Sequence, residues 1–159
     1  MSDTVLLVDD DHNLLLGLRR TLRKQPYELV TADSGRAALA LLARRPVDVI
    51  VSDEKMPEMS GTEFLAQARR LYPDTVRLML TGEATLEAAV RAINEGEIYR
   101  FLRKPCDQVE LSVAIAQGLQ QKKLLENARR LLRVSQRQAA MLETVARQVF
   151  YPGTFVRLP

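Results

Sequence analysis

Apolar residues in this chain come in short unbroken runs, separated by longer stretches in which they recur every three or four positions. Val5 to Val8 is the first run, and it stops at three consecutive carboxylates, Asp9, Asp10 and Asp11. A run without polar alternation marks a strand buried on both faces. Glu28 to Ala32, Val47 to Ser52, Val76 to Leu80 and Tyr99 to Leu102 read the same way. Helical spacing falls between them, over Asn13 to Lys24, Gly35 to Ala43, Thr62 to Leu71, Leu86 to Asn94, and from near Asp107 onward. Ser34 is placed to cap the second helix, Ser60 and Glu63 have capping-box spacing, and Gly96 is expected as a stop just past the fourth.

Five strands alternating with five helices predict a doubly wound α/β domain, because parallel strands need right-handed helical crossovers that cover both faces of the sheet. In such sheets ligands bind outside the carboxyl ends of the strands. Those ends are where chemistry is to be sought.

Length and composition narrow the class. A chain of 159 residues with 47% hydrophobic and 27% charged residues is ordinary for one globular domain with an appendage. No apolar run approaches the ~18 residues of a membrane span, and the N-terminus lacks the basic, apolar, small-residue progression of a secretory signal. The single Cys106 can form no internal disulfide, and with one histidine the chain has no structural zinc set. A cytoplasmic protein is expected. The net charge of +3 conceals an asymmetry: residues 1–121 hold 15 Lys/Arg against 18 Asp/Glu, whereas residues 122–159 hold 8 against 2. The basic character is in the tail, where such a helix is most often a solvated face.

The strand ends carry a consistent chemistry. The first stops at Asp9-Asp10-Asp11, the third runs into Asp53, the fourth ends in Thr81-Gly82 and the fifth in Lys104-Pro105. Ionised carboxylates crowded together repel, and a hard divalent cation resolves the conflict. Magnesium suits carboxylate, carbonyl and water oxygens and leaves positions for phosphate. Beside a lysine and a hydroxyl, a carboxylate is equipped to attack phosphorus and become an aspartyl phosphate. Lys104 would supply a compact charge and Thr81 a hydrogen bond.

Val8-Asp9-Asp10, Ser52 through Gly61, Leu80-Thr81-Gly82 and Phe101-Leu102-Arg103-Lys104-Pro105 together resemble the response-regulator receiver domain of two-component signalling, over about residues 4–121. The resemblance implies a flavodoxin-like strand order, 2-1-3-4-5, and assigns roles position by position. Asp53 resembles the phosphoacceptor. Asp9 and Asp10 resemble the acidic pair that holds Mg2+, with Asp53 and the backbone carbonyl of Lys55 as further ligands. Thr81 resembles the switch hydroxyl, Lys104 its salt-bridge partner to the phosphoryl group, and Phe101 the aromatic that moves with Thr81. It further implies a cis peptide before Pro105 and a sensor histidine kinase or phosphotransfer protein as phosphoryl donor. Catalysis would be confined to self-phosphorylation and self-dephosphorylation.

Six further residues need separate readings. Lys55 and Glu83 each lie two residues beyond a site residue, so with Gly82 they are expected at the pocket rim, the two charges facing each other across its mouth. Asp11 falls outside the receiver pattern and reads as an exposed residue at a helix start, where negative charge favours the dipole. His12 lies at a helix start without a second histidine or cysteine partner, and Cys106 reads as an ordinary loop or helix-start residue.

From Asp107 no proline interrupts the helical pattern until Pro152, which allows about 44 residues of helix, ~66 Å. Leu124, Ala128, Leu131, Ser135, Gln138, Leu142, Val145 and Val149 follow steps of four and three, with Leu125, Leu132, Ala139 and Ala146 beside them. That is coiled-coil spacing and predicts a parallel homodimer through residues 122–150, weakened at Ser135 and Gln138. Gly118 is expected to loosen the helix where it leaves the receiver. Residues 151–159 read as a tail or the start of a linker, too short for an output module, and Ile93 to Pro105 is similar to receivers that precede separate signalling enzymes. A nucleic-acid role for Arg129, Arg130, Arg133 and Arg137 ranks lower, since one continuous helix shows no reading module. A phosphatase ranks lower still, because Lys55 stands where such a fold usually places its second catalytic acid.

Overall fold

The computed structural model describes residues 2–82, 86–96 and 98–150. Five strands, β1 (Asp3–Val8), β2 (Tyr27–Ala32), β3 (Val49–Ser52), β4 (Val76–Thr81) and β5 (Arg100–Arg103), form one parallel sheet in the order β2-β1-β3-β4-β5. The helices α1 (His12–Thr21), α2 (Gly35–Leu42), α3 (Gly61–Leu71), α4 (Leu86–Gly96) and α5 (Gln108–Phe150) alternate with them.

The unbroken apolar runs are explained by what lies on each face. In β1, Val5 and Leu7 point to a core layer completed by Leu15 of α1 and Leu111, Ala114 and Ile115 of α5, while Leu6 and Val8 point to one completed by α2, α3 and Ala92 of α4. Side chains alternate across a strand, so a strand covered on both sides needs apolar residues at every position. β2 departs from that expectation. It is an edge strand and mostly half-buried, since it has a neighbour on one side only.

Ser34 and Ser60 cap where the sequence places them, and Asp11, read only as an exposed helix-start residue, is a cap as well. Ser34 Oγ accepts from Ala37 N at 3.0 Å, Ser60 Oγ from Glu63 N at 3.1 Å, and Asp11 Oδ1 from Leu14 N at 3.1 Å, satisfying donors that a helix start leaves open. Gly96 is the last residue of α4 instead of lying beyond it. α1 stops at Thr21, short of the expected Lys24, and Gln25 N turns back to Leu22 O at 3.1 Å. Pro26 disfavours a helical residue before it, so the chain must turn there.

Gly118 has a different use from the one expected. It is buried in α5, and a Cβ there would meet Val49 and Val76 at 3.3 to 3.5 Å, so the missing side chain permits close packing of helix on sheet. Lys122 Nζ lies 3.4 Å from Asp48 Oδ1, whose other oxygen accepts from Thr4 N at 2.7 Å. The chain divides into two units, Met1–Lys123 and Leu124–Pro159. Every residue from 124 to 150 is exposed. No helix among the described residues is long and apolar enough to cross a membrane.

Candidate functional site

Three backbone hydrogen bonds just beyond the strands set the site. Asp9 N donates to Ala32 O at 3.2 Å, Asp53 N to Val8 O at 2.9 Å and Lys104 N to Thr81 O at 2.9 Å. Each continues the parallel pairing by one rung, so these side chains emerge at the carboxyl edge of neighbouring strands. Carboxylate oxygens of Asp9, Asp10 and Asp53 lie within 4.8 Å of one another. Asp9 and Asp53 are buried and Asp10 is exposed.

Lys104 crosses to this cluster from the far side. Its Nζ lies 2.7 Å from Asp9 Oδ2 and 3.4 Å from Asp53 Oδ1. Burial raises the Asp53 carboxyl above its ordinary range and the charge of Asp9 raises it further, against the opposing pull of Lys104 and the Glu54 N–H. For Lys104 burial works in the lowering direction, but the hydrogen bond and charge of Asp9, joined by Asp53, outweigh it and leave the ammonium above its usual value. The Lys104 ammonium thus meets two of the three clustered carboxylates, and the hard oxygen donors of Asp9, Asp10 and Asp53 fit a divalent cation such as magnesium.

Thr81 closes β4 and is 2% exposed. Phe101 pairs with Met79 in the β4–β5 register and packs, half-buried, against the core layer of α2, α3 and α4. Lys55 and Gly82 are both exposed, and the Lys104–Pro105 peptide is cis. Glu83, and with it the expected pairing to Lys55, lies outside the described residues, as does the tail from Tyr151.

Two structural dependencies escaped the sequence reading. Glu54 Oε2 accepts from both Thr62 N at 2.9 Å and Thr62 Oγ1 at 2.7 Å, tying the residue after Asp53 to the first turn of α3. A carboxylate eight residues before a helix-start threonine was the available signal. Gly61 is the second: a Cβ there would stand 2.0 Å from Asp53 O. The backbone that carries Asp53 and the start of α3 are in direct contact, and no local pattern in the sequence reports that. A cavity of about 490 Å³ lies elsewhere, lined by His12, Asp33, Arg44 and apolar residues that include Leu15 of α1 and Leu41 of α2.

The model of the response regulator receiver domain matches residues 5–116. The chain belongs to the response regulator receiver family. The hydrogenase transcriptional regulatory protein HoxA of Cupriavidus necator is 40% identical to this receiver chain over 129 residues, covering 76% of the chain and 26% of HoxA. The transcriptional regulatory protein GlrR of Escherichia coli is 40% identical over 119 residues, 74% of the chain and 26% of GlrR. The receiver chain thus spans about a quarter of the length of the curated relatives it matches. Among solved structures, the signal receiver domain of an HD domain-containing protein from Pseudomonas fluorescens Pf-5 superposes with a TM-score of 0.76 at 40% identity, covering 79% of this chain and 93% of that one. A structure described as adenylate cyclase from Rhodopirellula baltica gives 0.78 at 42% identity, covering 84% and 98%. Receiver domains generally bind Mg2+ at an acidic pocket, and Asp9, Asp10 and Asp53 cluster here.

Proposed function

We propose that this receiver accepts a phosphoryl group on Asp53 from a sensor histidine kinase, a phosphotransfer protein or a small acyl phosphate, and passes the change to an output module through a dimeric α5. The observation that carries this reading is the placement of Lys104 Nζ against Asp9 and Asp53 at the mouth of a carboxylate cluster fit for a divalent cation.

An Asp53 oxygen would form the new bond to phosphorus as the bond from phosphorus to the donor imidazole nitrogen, or acyl oxygen, breaks and the leaving group departs. Phosphoryl transfer depends on positioning and on neutralising the equatorial oxygens. Asp9, Asp10, Asp53 and the Lys55 carbonyl would hold Mg2+, which supplies charge neutralisation at those oxygens when bound. Lys104, already within 3.4 Å of Asp53, would release Asp9 in part and engage a phosphoryl oxygen. Thr81 would donate to another, and the space it vacates would admit Phe101. Lys55, exposed beside the pocket, would govern access of water to the acyl phosphate together with Glu83. Beyond this self-directed chemistry the chain acts as a switch and not as an enzyme.

Intact-protein mass spectrometry after incubation with acetyl phosphate and Mg2+ tests the assignment. The added phosphoryl mass is expected on the parent chain and absent after Asp53→Asn or chelation of the metal. Full labelling that survives both treatments would overturn it.

A further inference from the structure

All five arginines and both glutamates between residues 124 and 150 fall at heptad positions b, c or f when Ala128 is placed at a. The a, d, e and g positions carry no charge. Two copies of this helix pressed along that face therefore bring no charge against its like, while their shared positive excess stays on the outer surfaces. The stretch is ~40 Å long and spans nearly four heptads, enough to sustain a coiled coil.

The uncharged face is wider than a single seam. Leu124, Leu131, Gln138 and Val145 form the d row, and Leu125, Leu132, Ala139 and Ala146 form the e row. Both rows flank one a row, of Ala128, Ser135, Leu142 and Val149. A two-stranded pairing can be built from d with a, flanked by e and g, or from a with e, flanked by d and by the b positions that hold Arg129 and Glu143. Adjacent residues point ~100° apart around a helix, so the midlines of these seams differ by roughly 50° of rotation about the helix axis.

In the first half each seam buries two leucines, Leu124 and Leu131 or Leu125 and Leu132, all exposed in the single chain. In the second half the choice is Gln138 and Val145 against Ala139 and Ala146. Val145 favours the first seam by its larger apolar surface, and desolvation of the Gln138 amide opposes it. The two arrangements are therefore close to balance.

We propose that α5 pairs in parallel with a second copy of this chain through either of these two overlapping seams, and that phosphorylation shifts the population between them by axial rotation. The first part stands on the helix alone; the second rests on the reading of Asp53 as phosphoacceptor. A nearly balanced pair responds to a small bias, since a tenfold change in ratio needs only ~1.4 kcal/mol. Parallel pairing sets identical rows face to face, Leu131 against Leu131 in one seam and Leu132 against Leu132 in the other.

Oxidative cross-linking of the full chain in a Cys106→Ser background tests this, with Leu131→Cys, Leu132→Cys or, as an outward control, Arg130→Cys. Both seam positions should cross-link at least fivefold faster than the control. Gln138→Leu should raise the Leu131→Cys rate relative to Leu132→Cys at least threefold, and Ala139→Leu should do the reverse. Acetyl phosphate with Mg2+ should move the same ratio threefold or more, and should not do so after Asp53→Asn. Cross-linking at one position only, whichever bias is applied, means one fixed seam and overturns the proposal. Neither position exceeding the control overturns parallel pairing. A ratio that stays constant in a sample whose mass carries the phosphoryl group overturns the switch and leaves Asp53 as phosphoacceptor. Absence of the added mass overturns the phosphoacceptor reading and the switch together, and the two seams then stand or fall on the biased ratios.

Discussion

Replacing Gly61 by alanine separates the steric design of this site from ordinary helix energetics. The new Cβ would stand 2.0 Å from Asp53 O and 2.9 Å from both Asp53 C and Glu54 Cα, where real Cβ atoms do not come within 3.0 Å. The conflict is with backbone, so no side-chain rotation relieves it. Nor is either backbone free to give. Asp53 N is bonded to Val8 O at 2.9 Å, Gly61 N to Glu54 O at 2.9 Å, and Thr62 is held twice by Glu54. α3 and the Asp53 strand end would have to part by about 1 Å, which breaks or stretches these bonds and opens the packing of buried Phe64 and Leu65 beneath.

Overpacking typically costs ~1 to 3 kcal/mol, and a clash with hydrogen-bonded backbone belongs at the upper end, about 3 kcal/mol. For a domain of this size that lowers the melting temperature by roughly 10 to 15 °C. Gly17 is the internal control. It lies exposed inside α1 with nothing within 4 Å of its would-be Cβ, so Gly17→Ala should add about 0.5 to 1 kcal/mol through the lost flexibility of the unfolded chain. Urea unfolding followed by tyrosine fluorescence reads the receiver through Tyr27, Tyr72 and Tyr99 without interference from the helical content of α5. The folded Gly61→Ala protein should also phosphorylate more slowly, because the carbonyl it displaces belongs to Asp53. A Gly61→Ala midpoint within about 0.5 kcal/mol of the parent, at unchanged denaturant slope, would refute the reasoning.

Two further predictions concern the charges of the metal-free site. The folded-state pKa of Asp53 is raised above its ordinary 3.8, so the carboxyl favours folding while protonated and that advantage is lost as pH rises through the raised value. Asp53→Asn should therefore be more stable than the parent at pH 7 in chelator, with the difference narrowing toward pH 4; a less stable variant at pH 7 would contradict this. Lys104→Ala leaves Asp9, whose side chain is 6% exposed, without its partner at 2.7 Å and should cost about 3 kcal/mol without metal, the low end for a buried pair because the lysine side chain is 26% exposed. The same variant should bind Mg2+ more tightly by calorimetry, because no ammonium competes for the oxygens, and unchanged affinity would count against a site shared by Lys104 and the cation.

Local order was legible in the sequence because its causes are local. An uninterrupted apolar run such as Val5 to Val8 reflects burial on both faces, and Ser34 and Ser60 cap helices through donors only three residues away. Strand ends bearing Asp9, Asp53 and Lys104 were readable as one cluster because parallel connectivity sends every strand's carboxyl end to the same edge. Tertiary structure alone decided what depends on closing long loops. The strand order makes β2 an edge and only half-buried, although its sequence reads like that of its neighbours. Asp9 is buried and the adjacent Asp10 exposed, a difference set by the elements that surround the end of β1. The Lys104–Asp9 contact joins residues 95 apart, and Gly61 is required by the approach of Asp53 O, not by any conformation of its own. Such contacts follow from how helices and strands stack in three dimensions, and neighbouring residues along the chain carry no record of them.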